Sequence, residues 1–95
     1  MIESSAYDLI KQQVWQQEFE EQFQQGLQQG RHKGMVQGAR ESILDILEVR
    51  FGVVPAAVAE SVNAIEQLAV LRALRRKSAV VQTLDEFKAA LAQAE

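Results

Sequence analysis

No residue between Tyr7 and Arg50 would by itself stop a helix, and this uninterrupted length constrains the fold more than any other feature. The one proline of the chain is Pro55. Glutamine, a good helix former, is abundant in the first part of the stretch. Gln-rich tracts can also be disordered or aggregate, but regularly spaced apolar residues interrupt the glutamines, which favours a helix. Such a helix would be roughly 65 Å long.

The apolar residues of the first half recur at helical spacing. Tyr7, Ile10 and Val14 follow a heptad pattern. A second set, which we call the large-residue row, steps by four residues: Trp15, Phe19, Phe23 and Leu27. Residues four apart share a helix face, but the row moves around the axis by about 40° per step. This drift suits crossing helices, or a coiled coil whose supercoil is not the usual left-handed one.

The second half is predicted to contain shorter helices. Gly52 stands where a helix C-cap is expected, and Pro55 follows shortly after it. Beyond this boundary, apolar residues return at helical spacing, in one helix or in two with a break near residues 63–66. Thr83 and Glu86 predict a capping box for a last short helix. The apolar positions are Val58, Val62, Ile65, Leu68, Leu71, Leu74, Phe87 and Leu91.

Alternation of period two, the signal for strands, is absent over any useful length. We therefore predict an all-α fold with a long N-terminal helix followed by a small bundle of short helices. Residues 1–40 form a long Gln-rich oligomerisation helix in this prediction, and residues 41–95 form the C-terminal bundle. The short helices are expected to fold back on residues 43–51, which carry a broad apolar face.

The long helix is too long for the short helices to cover, so its large-residue row would face water in a monomer. Exposed apolar patches of this size usually mark interfaces. We therefore predict that the chain associates with itself as a dimer or tetramer, with another protein as a further partner. The predicted interface contains Val14, Trp15, Phe19, Phe23, Leu27, Gly26, Gly30, Gly34 and Gly38.

The glycines of this interface recur every four residues, from Gly26 to Gly38; we call them the glycine row. Each glycine inside a helix costs about 1 kcal/mol relative to alanine, so the four together cost about 4 kcal/mol. Close approach of another helix would offset that cost, as small residues allow in membranes. Alternatively, the segment is a frayed or bent connector between two helical pieces. The regular period favours close packing.

Composition excludes several classes of site. The chain has no cysteine, which removes disulfides, thiolate nucleophiles and Cys-based metal sites. The net charge of -3 gives no general attraction to nucleic acid or acidic membranes. The first residues lack the basic start and apolar run of a signal peptide. No stretch approaches the roughly 18 apolar residues of a membrane span, so we expect a cytoplasmic protein that is not embedded in a membrane.

The residues that could carry chemistry do not form a catalytic constellation. His32, the single histidine, lies in a polar stretch without a suitable serine and carboxylate nearby, so we interpret it as a surface residue. Glu86-Phe87-Lys88 has the spacing of a nuclease E-x-K triplet, but such a triplet works on a strand with an acidic partner. Here the triplet falls in a predicted helix. We predict no enzyme activity, catalytic residue, metal or cofactor.

One basic cluster offers a second interpretation. Arg72, Arg75, Arg76 and Lys77 follow one another closely, and the three arginines share a helix face. They are candidates for contact with nucleic-acid phosphates. The cluster is also consistent with a solvated helix face, and no aromatic residues interleave with it to stack on bases. Nucleic acid is therefore the less favoured partner.

Several short motifs resemble one bacterial group. They are Glu3-Ser4-Ser5-Ala6-Tyr7, the glycine row, Arg50-Phe51-Gly52-Val53-Val54-Pro55, Ile65 with Leu68, and Thr83-Leu84-Asp85-Glu86-Phe87. Together they resemble the C-terminal region of the Rpn-like recombination-promoting nuclease and transposase family, and a related cyanobacterial C-terminal domain. In that family a separate PD-(D/E)XK domain carries the metal-dependent chemistry. The resemblance therefore implies an accessory helical tail to which no catalytic residue carries over.

Overall fold

The computed structural model describes the backbone of residues 2–94 and the side-chain surroundings of residues 10–94. Four α-helices and no strands occur in this part of the chain, which confirms the all-α prediction. Their bounds are α1 Ile2–Phe51, α2 Ala56–Ala64, α3 Leu68–Val80 and α4 Leu84–Ala94. The long helix is therefore followed by three short ones, and the break between α2 and α3 confirms the two-helix alternative. The side chain of Tyr7 lies outside the described residues.

The ends of the helices follow the predicted signals. Gly52 has a φ of 87° and its N–H donates to the Glu48 carbonyl at 2.9 Å, which closes the last turn of α1. At the start of α4, the Thr83 hydroxyl accepts the N–H of Glu86 at 3.2 Å. The Glu86 carboxylate in return accepts the N–H of Gln82 at 3.0 Å, one residue earlier than in a standard capping box.

Replacement of Gly52 by alanine tests the α1 boundary. A side chain at positive φ is strained by about 1–2 kcal/mol, so we expect Gly52→Ala to lower the free energy of unfolding by about that amount. Urea titration followed by circular dichroism measures the difference. Gly52→Asn is the matched control, because asparagine tolerates this conformation better. Equal stability of the glycine and alanine forms would contradict the assignment.

Contacts divide the chain into two compact units, Met1–His32 and Lys33–Glu95. The second unit has a core in which the second half of α1 meets the three short helices. Val36 and Ala39 belong to this core, which explains why the unit begins before residue 41. The functional division of the chain at residue 40 stays a prediction. The buried apolar residues are Val36, Ala39, Ile43, Leu47, Val58, Val62, Leu71, Leu74, Val81, Phe87 and Leu91.

Two arginines of α1 hold the carboxyl ends of the short helices. The Arg40 guanidinium donates from Nε and Nη2 to the Ile65 carbonyl at 3.0 and 2.7 Å, and Ile65 is the C-cap of α2. Arg50 Nη1 donates to the Ser78 carbonyl, in the last turn of α3, at 2.7 Å. Carbonyls at helix ends lack helical partners, so a cation there satisfies them and opposes the helix dipole.

Candidate self-association surface

The large-residue row is exposed along its whole length. Trp15 is 66% exposed, and Leu27, the least exposed member, is still 42% exposed. Ile10 and Val14 are exposed as well. No core in the described part of the chain buries these side chains, which agrees with the exposure predicted from the length of the helix.

Within the row, the aromatic rings contact one another. The ring centroids of Trp15 and Phe19 are 5.9 Å apart with an interplanar angle of 13°. Those of Phe19 and Phe23 are 6.3 Å apart at 11°. Stacking at these distances stabilises the rings against one another. All three side chains nevertheless remain more than half exposed, so they are available to a partner.

The glycine row lies directly beside the large-residue row. Gly26 is three residues after Phe23 and immediately precedes Leu27, so at about 100° per residue the two rows are neighbours on the helix surface. A Cβ atom added at Gly26, Gly30, Gly34 or Gly38 would have no heavy atom within 4 Å beyond the helix's own backbone. The described residues therefore provide no close contact that requires glycine at these positions. Because α1 runs through all four without interruption, the segment is helical rather than frayed, and close packing along the glycine row stays a prediction.

The surface that carries both rows is uncharged from Gln12 to Gly30. On a helical projection at about 100° per residue, it contains the large residues, two glycines and the glutamines Gln12, Gln16 and Gln22. The carboxylates Glu18, Glu20 and Glu21 project to its edge or to other sides of α1. A partner helix can therefore cover this surface without burying an ionised group, which would be costly.

The basic cluster lies on α3, whose Leu71, Leu74 and Ser78 are buried. Arg72, Arg75, Arg76 and Lys77 are all exposed. By projection at about 100° per residue, Arg72 and Arg76 lie together opposite the buried side, whereas Lys77 lies on another flank. In the described part of the chain the one ion pair within 4 Å joins Lys88 to Asp85 at 3.9 Å. The cluster therefore presents three arginines, rather than four basic groups, on one surface.

The structure shows where the other residues considered for chemistry lie and, for the E-x-K triplet, which contacts they make. His32 is exposed on α1. The E-x-K triplet lies in α4, as predicted: Glu86 caps that helix, Phe87 is fully buried and Lys88 pairs with Asp85. Residues 10–94 contain no group of three or more His, Asp or Glu side chains placed to hold a metal ion.

Sequence reasoning missed two features of the surface. Met35, eight residues beyond Leu27, is 52% exposed, and its four-residue spacing could have revealed it. The direct adjacency of the two rows could also have been read from the residue numbers.

In residues 2–94, no helix has both the length and the apolar character that crossing a membrane requires.

Comparison with known proteins identified no relative of this chain. No family model matches the chain, and no curated protein or solved structure is similar enough to count as a match.

Proposed function

We propose that this chain is a non-catalytic helical module that associates with itself through the first part of α1. The observation that carries the proposal is the exposed large-residue row beside an open glycine row. Three aromatic side chains at this exposure, together with Leu27, present on the order of 400 Å² of apolar surface. A single patch of that size on a monomer is often functional.

The stability of the helix supports the same proposal. Four glycines in α1 destabilise it by about 4 kcal/mol relative to alanine, and their surroundings within the chain are open. A second helix that approaches closely along this row would offset the cost by contacts with the exposed backbone. The expected assembly is a dimer or tetramer of identical chains, and a different protein with a similar helix is a further partner.

Molar mass in solution tests the proposal. Light scattering across a concentration series should give a dimer or tetramer for the unaltered chain. Gly30→Leu should reduce the mass toward that of a monomer, because the added side chain fills the glycine row. Gln28→Leu is the matched control: it adds the same side chain two residues earlier, about 160° around the helix from Gly30, and should leave the mass unchanged. A monomer for the unaltered chain at all concentrations would contradict the proposal.

We further propose that the module is an accessory tail of the nuclease and transposase-like family that its motifs resemble. Support comes from the spacing of the glycine row and from the Arg50–Pro55 motif, whose Gly52 ends α1. The catalytic domain of that family is not part of these residues, so the proposed role is assembly rather than chemistry. A cytoplasmic location remains a prediction from the sequence.

Contact with nucleic acid through α3 is a second candidate function. It is favoured by the exposed arginines Arg72, Arg75 and Arg76, which have no carboxylate within 4 Å among the described residues. Three phosphate contacts would make the logarithm of the affinity fall with that of the salt concentration, with a slope of about −3.

Fluorescence anisotropy with labelled duplex DNA at low salt tests this candidate. We expect weak binding that disappears when all three arginines are replaced by glutamate. Lys88→Glu, a charge reversal elsewhere on the same unit, should have a much smaller effect. The absence of any anisotropy change at low salt would exclude the candidate and leave self-association untouched.

A further inference from the structure

The two rows of α1 form a ridge and a channel side by side on the same helix. The ridge consists of Phe19, Phe23 and Leu27, and the channel begins at Gly26 and continues through Gly30. Both repeat every four residues, so both have the same inclination and the same rise of about 6 Å per step. A second copy of this helix therefore carries a ridge whose spacing matches the channel of the first. This inference rests on the proposed self-association and concerns its geometry.

Area and charge support a second copy as the occupant. Specific interfaces bury about 800 Å² per partner, and the exposed large residues supply on the order of half of that. Glycine backbone and the flanking glutamines can supply much of the remainder when two helices pack closely. The carboxylates between Gln12 and Gly30 project to the edge of the surface or to other sides of α1, so a copy meeting the same surface brings no like charges together at its centre.

We propose that two copies cross in parallel orientation, with the ridge of each seated in the channel of the other. Viewed from outside with the C-terminus upward, the ridge lies to the right of the channel. A parallel copy that faces this surface presents the two in reversed order, so large residues meet glycines. An antiparallel copy presents them in the same order, so ridge meets ridge and channel meets channel. Size complementarity therefore selects the parallel pair.

The four-residue rows also set the crossing angle. Rows of this kind interlock when the helix axes cross at about 50°, close to the angle of glycine-mediated pairs in membranes. Leu27 then fits between Gly26 and Gly30 of the second copy, and Phe23 packs beside the second copy's Gly26. The axes diverge away from this point, so contact weakens toward Trp15.

Single cysteines test the orientation, because the chain has none of its own. Phe23 and Gly30 both lie near the middle of the surface and are about 10 Å apart along the helix. A disulfide requires Cα atoms within about 7 Å. In a parallel pair, Phe23→Cys and Gly30→Cys should each form a disulfide-linked dimer alone. In an antiparallel pair centred between them, the linked dimer should form only when the two variants are mixed. Gln24→Cys, which lies off the surface, is the control and should not crosslink.

A spin label at Gln13→Cys provides a second measurement that leaves both rows intact. The label lies about 20 Å from the crossing point, so a parallel pair crossing at 50° should give a distance of about 20 Å between labels, and an antiparallel pair about 40 Å. The longer distance in a chain whose mass is that of a dimer would overturn the parallel arrangement and leave self-association standing. A monomeric mass with no measurable distance would overturn both.

Discussion

Phe87→Ala is expected to lower the free energy of unfolding of the second unit by about 3–5 kcal/mol. Phe87 is fully buried in α4 among the apolar residues of all four helices. Removal of a buried phenylalanine forfeits its transfer free energy and leaves a cavity that the surroundings fill only in part. Since a domain of this size is stable by roughly 5–15 kcal/mol, the loss is a large share of the total.

Urea denaturation monitored by circular dichroism measures this loss, at a protein concentration held constant because association stabilises the folded chain. Val80→Ala is the control: Val80 is apolar too but 72% exposed, and its truncation should change stability by less than about 0.5 kcal/mol. Equal effects of the two substitutions would mean that Phe87 is not in the core. The result also bears on the E-x-K triplet, whose middle residue we assign to packing.

Local signals were sufficient to predict most of the helical architecture. Gly52 and Pro55 end one helix and begin the next, and Thr83 and Glu86 cap α4, because each acts on backbone groups within four residues. The four-residue spacing from Trp15 to Leu27 predicted an apolar row. Because α1 is longer than the three short helices can cover, the row was also predicted to be exposed. These inferences depend on chemistry that a sequence displays directly.

Contacts between distant residues could not be predicted in the same way. The Arg40 side chain donates a hydrogen bond to a carbonyl 25 residues away, and the Arg50 side chain donates to one 28 residues away. The residues next to these arginines in the sequence give no sign that their side chains make such contacts. The inclusion of Val36 and Ala39 in the core similarly depends on where the short helices pack. Such outcomes are determined by the tertiary arrangement, for which spacing along one helix carries no information.

Charge introduced in the C-terminal half of the large-residue row, at Phe23 and Leu27, should abolish association. We expect the double variant Phe23→Asp with Leu27→Asp to be monomeric at concentrations where the unaltered chain is fully associated, with an affinity at least 100-fold lower. Each substitution removes apolar contact area and places an ionised carboxylate on a surface that a partner helix must cover, where desolvation of the charge is costly. A hundredfold change corresponds to about 2.7 kcal/mol, which is less than these two effects together provide. Analytical ultracentrifugation of the two chains measures the difference.

A matched control separates the surface from the charge. Gln24→Asp with Gln28→Asp introduces the same two carboxylates, four residues apart, one position further along α1 and therefore about 100° away around the helix. Both variants carry the same net charge, and the control loses at least as much helix propensity because glutamine is a better helix former than phenylalanine. General repulsion or a weakened helix would therefore affect the control at least as strongly. Self-association through the large-residue row requires that only the first variant become monomeric. If both dissociate, general repulsion or a weakened helix is responsible, and the row is not specifically required. If neither does, the chain associates through another surface, and the large-residue row of α1 is not the interface.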